Sequence, residues 1–444
     1  MPGNDGNINP GAITGSMYKA LSIAGSDSVG GAGIQADLKA FASLGVHGCC
    51  AITAVTAQSS TAVDSICAVE PSMLRAQMES VLEDVDIGAA KTGMLYMPDS
   101  VEAVAEVFED REIPLVVDPV LVAGVGDSLG SEGLAKAIMD RLLPLCDMVT
   151  PNRHEAETMA GMEIIDGEDA MTACEIIGSQ GSSVYLKGGH IDSLDVVDYL
   201  YHGSEFTRLR YPRLPPAGHG GGCVLSAYMA ANMAKGMDAI RAALAARESV
   251  QGSIVAMYTV GRGVAVVDPL VDLRRDAAAV EVLQRLRVCV TRLEETLPAS
   301  WLPAGGGNLA FALPFARGPE DIAGLEPPMM AVRGRPRAGA AAFGAADDMA
   351  EAVLAVMGRD PWMRAAVKLA HDDDRLDLME ELGLTVSAFE RGSAATLARG
   401  MEGAIDHCDE FPDVVLEQRI DGGEVLRLLG RSPEELLQKI ALLL

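Results

Sequence analysis

The run His219-Gly220-Gly221-Gly222-Cys223, followed by VLSAYMAANMAKG, holds the sharpest chemical signal in this chain of 444 residues. Three consecutive glycines where a helix begins turn several backbone N–H groups toward one point, and the positive end of the helix dipole lies in the same place. Such a start is an anion hole. In a phosphoryl transfer it would stabilise charge on the group in flight, and losing preorganised donors of this kind typically costs on the order of 10² to 10³ in rate. A cysteine at a helix start is expected to have a depressed pKa, so Cys223 could act as a thiolate base; a buried structural cysteine is the other reading.

A second Gly-rich turn, AGSDSVGGAGIQADLK over 24–39, sets Gly25, Gly30, Gly31 and Gly33 between a strand pattern and a helix pattern. Backbone there must turn tightly or approach a ligand. Alone, the turn fits a nucleotide and simple strand-to-helix packing equally well. Between the two Gly-rich segments lie Asp118 at the end of LVVD, Asn152 and Glu155 in TPNRHE, and Lys187 in VYLKGGH, each at the C-terminal end of an apolar run. Open α/β sheets bind ligands along that edge. Carboxylates there suit Mg²⁺, which takes few protein ligands and completes its shell with phosphate oxygens and water. Lys187 is one of only eight lysines, which makes chance a poor account of its place behind a buried strand. Together these residues outline a nucleotide site.

The elements that must hold them follow from the hydrophobic pattern. Short apolar runs (ALSIA, CCAITAVTAQ, PLVVDPVLV, DMVTPN, SVYLKGG) alternate with helical patterns, which is the signature of an α/β fold. LVVDP and VYLKG are apolar nearly throughout, as expected when helices cover both faces of a mostly parallel sheet. That pattern ends near Leu270. Residues 271–304 read as a linker, an amphipathic helix DLRRDAAAVEVLQRLRVCVTRLEETL running into the break ASWLPAGGG. Residues 305–444 hold apolar segments of their own, enough for a smaller α/β body. Residues 1–16, MPGNDGNINPGAITGS, read as a flexible extension before a first body over 17–270.

Composition excludes several classes. An apolar fraction of 49% with 22% charged residues belongs to a globular chain rather than a disordered one. With 35 Lys and Arg against 63 Asp and Glu the formal charge is −28, which repels nucleic acid and anionic lipid, and no basic run offsets it. A long stretch without Asp, Glu, Lys or Arg, 42–63, contains His47, Gln58 and several Ser and Thr, and reads as buried core rather than a membrane span. The eight cysteines form no CxxC and no zinc spacing, and the N-terminus lacks the parts of a signal peptide, so reduced thiols in a cytoplasm are expected.

On IAGSDSVGGAGIQADLKAFASLGVHGCCAITAVTAQ, AAKTGML, VVDPV, TPNRHEAE, LKGGH and HGGGC, in this order, the segment from Lys19 to about Leu270 closely resembles hydroxymethylpyrimidine/phosphomethylpyrimidine kinases of thiamine biosynthesis, in the ribokinase superfamily. The resemblance implies a ribokinase-like sheet and phosphorylation by ATP, with Mg²⁺, of a pyrimidine alcohol and then of its monophosphate. It implies a pyrimidine pocket lined by Gly25, Asp37, Gln58, Met94 and Val120, with Gln58 and Asp37 satisfying ring nitrogens and the amino group. Asn152 and Lys187 would contact ATP, Asp118 and Glu155 would hold Mg²⁺ directly or through water, and Gly220, Gly221, Gly222 and Cys223 would form the anion hole, with Cys223 activating the hydroxymethyl oxygen. The partners implied are small molecules and further copies of this chain in a homo-oligomer. A pyridoxal or sugar kinase of the same superfamily is the competing reading, although a sugar kinase would have Asp where Cys223 stands.

Two departures stand out. Gly221 replaces the usual Thr of HGTGC, removing a hydroxyl but no backbone N–H. The usual AKSGD flap reads Ala123-Gly124-Val125-Gly126-Asp127, without the Lys, so a phosphate contact of the monophosphate step is missing.

Residues 305–444 resemble the ThiN type of thiamine-phosphate synthase domain on GGGNLAFALPFARGPEDIAGL, FGAADDMAEAVLAVMGRDPWMRAA, ELGLTVSAFER and VLRLLGRSPEELLQKI. Such domains join hydroxymethylpyrimidine diphosphate to thiazole phosphate and release pyrophosphate. Asn308 and Arg391 are the phosphate-binding candidates, with a turn cap and a surface arginine as their ordinary alternatives. Asp347 and Asp348 follow FGAA where the family commonly shows FGASSH, and the Arg that the synthases carry shortly after their AGI segment is not evident in Ala323-Gly324-Leu325-Glu326-Pro327-Pro328. A non-catalytic, ligand-binding or regulatory module is therefore the alternative for this body.

Overall fold

Nine strands form one sheet: β1 (Lys19–Ser26), β2 (His47–Gln58), β3 (Val63–Ala68), β4 (Ala89–Thr92), β5 (Leu115–Val117), β6 (Met148–Val149), β7 (Ser183–Leu186), β8 (Asp195–His202) and β9 (Glu205–Pro212). The computed structural model describes residues 17–121, 133–190, 195–214, 218–392, 396–419 and 423–444; the expected N-terminal extension 1–16 and the loop 123–127 lie outside them. The strands hydrogen-bond in the order β3-β2-β1-β4-β5-β6-β7-β8-β9. Neighbours from β2 to β7 are parallel, while β3 at one edge and β8 and β9 at the other join antiparallel. Strands β4, β5 and β7 are buried along their whole length. Both faces are covered: one core contains Leu74, Val104, Phe108 and Ile177, and the other contains Phe41, Val224, Tyr228 and Ala243. With β2 on one side of β1 and β4 on the other, strand order reverses at β1, which opens a crevice beyond the strand C-termini.

Contacts within the chain divide it into two compact units, one ending at Asp272 and one beginning at Leu273. The second has a seven-stranded sheet of β10 (Leu309–Ala312), β11 (Ile322–Glu326), β14 (Ala340–Phe343), β15 (Ala365–Ala370), β16 (Val386–Arg391), β17 (Val414–Arg419) and β18 (Glu424–Gly430), with β12 (Met330–Val332) and β13 (Arg335–Arg337) as a separate hairpin. Its order is β14-β11-β10-β15-β18-β17-β16. Only β16 and β17 run parallel. One face packs under the helices Asp348–Met357 and Leu397–Asp406.

The segment 271–304 is not a linker. The helix Val271–Thr296 buries Val282, Leu286, Cys289, Val290 and Leu293 on one stripe, and Leu297 and Trp301 continue it into the core on the other face of the second sheet. A helix with such a stripe is stable only where the stripe is covered, and here strands β10, β11, β15 and β18 cover it. No helix among the described residues is long and apolar enough to cross a membrane.

Candidate active site

The crevice holds a cavity of about 160 Å³. Strand-end positions supply most of its wall, because a parallel sheet brings the residues that follow each strand to one edge. Asp118 follows β5, Asn152 follows β6 and Lys187 follows β7, and all three line the cavity with Glu155. Asn152 caps the helix Arg153–Ala160: its side chain accepts from Glu155 N–H while the Glu155 carboxylate accepts from Asn152 N–H at 2.7 Å. This reciprocal cap fixes both side chains before any ligand arrives. Lys187 Nζ donates to Asp118 Oδ1 at 2.9 Å and lies 3.8 Å from Glu155 Oε2.

Charge is balanced tightly. Burial alone would raise the Asp118 pKa, but Lys187 and Lys91 outweigh it and hold the carboxyl below its usual range. Glu155, also buried, is pushed up to about 7, because Lys187 only partly offsets the burial and the charge of Asp118. Lys187 is held above its usual range, Asp118 and Glu155 overcoming the cost of burial. Two buried carboxylates facing one cavity with a single ammonium between them are oxygen donors that fit a magnesium ion. Glu155, poised near neutrality, would release its proton to solvent readily as a cation bound there.

The opposite wall comes from the two Gly-rich segments. The helix Gly221–Ala234 starts from Gly220 with no side-chain cap, so its first N–H groups face the cavity region unsatisfied by any side chain. Gly220 has φ +94°, and a Cβ there would lie 2.0 Å from Gly31 O, so only glycine lets the second turn close against the first. Asp27 organises the first turn, its carboxylate accepting from the N–H groups of Val29, Gly31 and Ala32 at 2.8–3.0 Å. Its Oδ2 lies 3.8 Å from His219 Nε2. Burial works to raise the Asp27 pKa, but His219 and the backbone donors outweigh it and lower it.

Gly25, Gln58, Met94, Val120, Gly220, Gly222 and Cys223 line the same cavity, while Gly221 faces an adjoining groove that also includes Lys187, His219 and Gly220. Asp37 does not reach the cavity. It is fully buried behind β1, accepts from Ser22 Oγ at 2.6 Å, and is paired with the equally buried Lys91 at 3.1 Å. The expected depressed pKa of Cys223 is also corrected: burial pushes its thiol up to about 11, and the nearby Lys91 ammonium only partly counters this. The helix-start effect is real, but desolvation is larger here. Residues not singled out from the sequence, Asp27, Thr56 and Lys91, also line the cavity, as does His219 of the HGGGC run. A lysine inside the short, wholly buried strand AAKT was the available signal for Lys91.

In the second unit Asn308 is spent on the fold. Its Nδ2 donates to Leu325 O, Ala345 O and Asp347 Oδ2, and its Oδ1 accepts from Leu325 N–H, leaving little for a ligand. Arg391 is half-buried and donates to Glu417 Oε1 at 2.9 Å, which joins it to a charged network with Arg427, Asp348 and Lys368.

A doubly wound sheet with a glycine-rich helix start facing strand-end carboxylates and a lysine defines a ribokinase-like small-molecule kinase. The chain belongs to the phosphomethylpyrimidine kinase family, whose model matches residues 27–268. A second model, thiamine-phosphate synthase ThiN, matches residues 285–441. The hydroxymethylpyrimidine/phosphomethylpyrimidine kinase of Streptomyces coelicolor is 42% identical over 250 residues, covering 56% of this chain and 93% of that protein. The thiamine biosynthesis bifunctional protein ThiED of Geobacter sulfurreducens is 40% identical over 247 residues, 55% of this chain and 50% of that one. Among solved structures, the ADP complex of Bacillus subtilis pyridoxal kinase matches with a TM-score of 0.55 and 33% identity, over 58% of this chain and 99% of that one.

Proposed function

We propose that the first unit transfers the terminal phosphoryl group of ATP to the hydroxymethyl oxygen of 4-amino-5-hydroxymethyl-2-methylpyrimidine, and then phosphorylates the monophosphate to the diphosphate. The observation that supports this most is the single cavity that brings Lys187, Asp118, Asn152 and Glu155 to face Gly220, Gly222 and Cys223. The pyrimidine lies against Gly25, Met94 and Val120, with the Gln58 amide reading a ring nitrogen. Asn152 and Lys187 hold the ATP phosphates, and the groove that continues past Gly221 receives the rest of the nucleotide. Asp118 and Glu155 would hold Mg²⁺, in part through water, and the ion would neutralise phosphate charge there.

Transfer forms an oxygen–phosphorus bond to the hydroxymethyl group and breaks the bond to the ADP oxygen. Its loose transition state spreads charge over the transferring oxygens, so the uncapped N–H groups of the helix Gly221–Ala234 act where charge builds. Such a transfer asks little of a base. Cys223, a thiol at rest, orients the hydroxymethyl oxygen, and the hydroxyl proton passes late, as the new bond forms, to an oxygen of the transferred phosphoryl group.

For the second unit two readings compete. Synthesis of thiamine phosphate from the diphosphate and thiazole phosphate is supported by the ThiN match. A non-catalytic binding module is supported by Asp348, which engages Lys368 and Arg427 with its own carboxylate. Mass-spectrometric product analysis of the full chain with Mg-ATP, hydroxymethylpyrimidine and thiazole phosphate tests all of this at once. Thiamine phosphate supports a bifunctional enzyme, and accumulating diphosphate supports a kinase with a binding module. ATP turnover with pyridoxal but not with hydroxymethylpyrimidine overturns the proposed substrate.

A further inference from the structure

We propose that Lys91 is a catalytic residue of the first unit, its ammonium donating to an oxygen of the phosphoryl group as that group passes from ATP to the acceptor. The inference rests on the kinase reading of the cavity, and it holds whichever alcohol is the acceptor.

Lys91 is the third residue of β4, opposite Ser22 of β1 and Val116 of β5. Strand alternation puts its side chain on the face that carries Ala89, which packs in an apolar core with Phe41 and Val224. Three polar side chains interrupt that core. Ser22 Oγ donates to Asp37 Oδ2 at 2.6 Å, and Lys91 Nζ donates to both Asp37 oxygens, at 3.1 and 3.2 Å. The Lys91 and Asp37 side chains are both 0% exposed. Stability is a poor account of such a pair, since well-packed apolar side chains of similar volume hold a core as well or better.

The count of donors leads to the cavity. An ammonium carries three N–H groups, and one carboxylate occupies two of them. Among the described residues Asp37 is the only hydrogen-bond acceptor of Lys91. A third donor of a fully buried charge is therefore left over, and leaving such a donor unmet is costly. The cavity is where it can be met. Lys91 and Gly93 both line it, and a Cβ on Gly93 would lie only 3.2 Å from Lys91 Nζ, so the ammonium stands at the cavity wall. Cys223 and Asp118 line the same cavity and both feel the Lys91 charge. In the proposed reaction Cys223 stands at the acceptor oxygen and Asp118 at the ATP phosphates, and the phosphoryl group moves from one to the other.

Burial works against the Lys91 charge, but its carboxylate neighbours, Asp37 first, outweigh it and hold the pKa above the usual range. The residue therefore stays an ammonium and gives up no proton. Its hydrogen bond strengthens as negative charge builds on the phosphoryl oxygens, which is where a preorganised donor lowers a barrier. Lys187 and Lys91 thus divide the work, the first holding the ATP phosphates and the second serving the group in flight.

The test is steady-state phosphorylation of hydroxymethylpyrimidine by Mg-ATP in the full chain, with Lys91→Met alone and with Lys91→Met combined with Asp37→Asn. The single change strands Asp37 as a buried, unpaired carboxylate and threatens folding. The double change removes both charges and keeps an oxygen to accept from Ser22. The double variant is expected to lose roughly 10²-fold in kcat with KM for ATP within about twofold, the mark of an interaction made in the transition state. Where the single variant folds, it is expected to show the same split. Normal kcat in the double variant would overturn the role, because the pair would then serve the fold alone. A raised KM for ATP at normal kcat would also overturn it, moving Lys91 to ground-state ATP binding. Should the unsubstituted chain use pyridoxal instead, the same comparison is made with pyridoxal, and only the proposed substrate has failed. An unsubstituted chain that phosphorylates neither alcohol would overturn the kinase reading and Lys91 with it.

Discussion

Lys187 Nζ donates a 2.9 Å hydrogen bond to Asp118 Oδ1, so the residue that follows β7 neutralises the residue that follows β5 across the intervening strand. The ammonium also lies 3.8 Å from Glu155 Oε2, so it faces both buried carboxylates, with Lys91 adding a second positive charge near Asp118. Lys187→Ala is expected to lower kcat/KM for ATP by roughly 10²-fold or more, since a preorganised phosphate partner is lost. The same change leaves Asp118 and Glu155 facing each other and is expected to cost about 3–5 kcal/mol of stability, the range for breaking a buried pair. Steady-state kinetics and urea unfolding measure the two effects separately. Normal ATP kinetics in a folded variant would reduce Lys187 to a structural role.

Cys223 is a thiol at rest. With its pKa pushed up to about 11, the thiolate fraction at pH 8 is roughly one in a thousand. Iodoacetamide is therefore expected to label the exposed Cys67 well before Cys223 at pH 8, and labelling of Cys223 is expected to rise about tenfold per pH unit toward pH 11. Peptide mapping by mass spectrometry follows both sites in one experiment. Equal labelling of the two at pH 8 would show a thiolate already present in the ligand-free chain.

Glu155 gives the ligand-free chain a defined pH response. Its pKa rises from 4.5 to about 7 on folding, through burial and the Asp118 charge and against the pull of Lys187. Between those values the folded chain keeps a proton that the unfolded chain has lost, so stability falls as pH rises through the window, and the loss is complete above pH 7. Glu155→Gln removes this proton and retains an oxygen to accept from Asn152 N–H. The variant is expected to gain up to about 3 kcal/mol on the unsubstituted chain between pH 4.5 and 8. Urea unfolding at pH 5 and pH 8 checks it, and identical pH dependence in both chains would place the proton elsewhere.

What could be read in advance was local or set by sheet topology. Asp118, Asn152 and Lys187 each end an apolar run, and a parallel sheet delivers such ends to one edge whatever the details of packing. Asp37 was beyond reach because its partner Lys91 lies 54 residues away on a different strand, and only the folded sheet shows the pair closing behind the cavity. The thiol of Cys223 was misjudged for a related reason. A helix start is visible in the sequence, but the burial that β1 and its following turn impose on the sulfur is not. Likewise the network of Lys368, Asp348, Glu417 and Arg427 draws on four elements, and nothing local joins them.

The helix Val271–Thr296 shows the same limit and supplies a direct test. Its apolar stripe is plain in the sequence, yet a stripe does not say which body covers it, and a helix before a Pro/Gly break reads naturally as a connector. Leu286 is fully buried in the core of the second unit with Phe311, Val367 and Leu428, so deleting its side chain opens a cavity there. Leu286→Ala is expected to destabilise that unit by about 2–5 kcal/mol, the usual range for a buried leucine. Both tryptophans belong to this unit, so the tryptophan-detected transition in urea is the one that should shift to lower concentration. A helix that merely connected two bodies would tolerate the change within about 0.5 kcal/mol, as exposed positions do, and an unmoved transition would return 271–304 to the status of a linker.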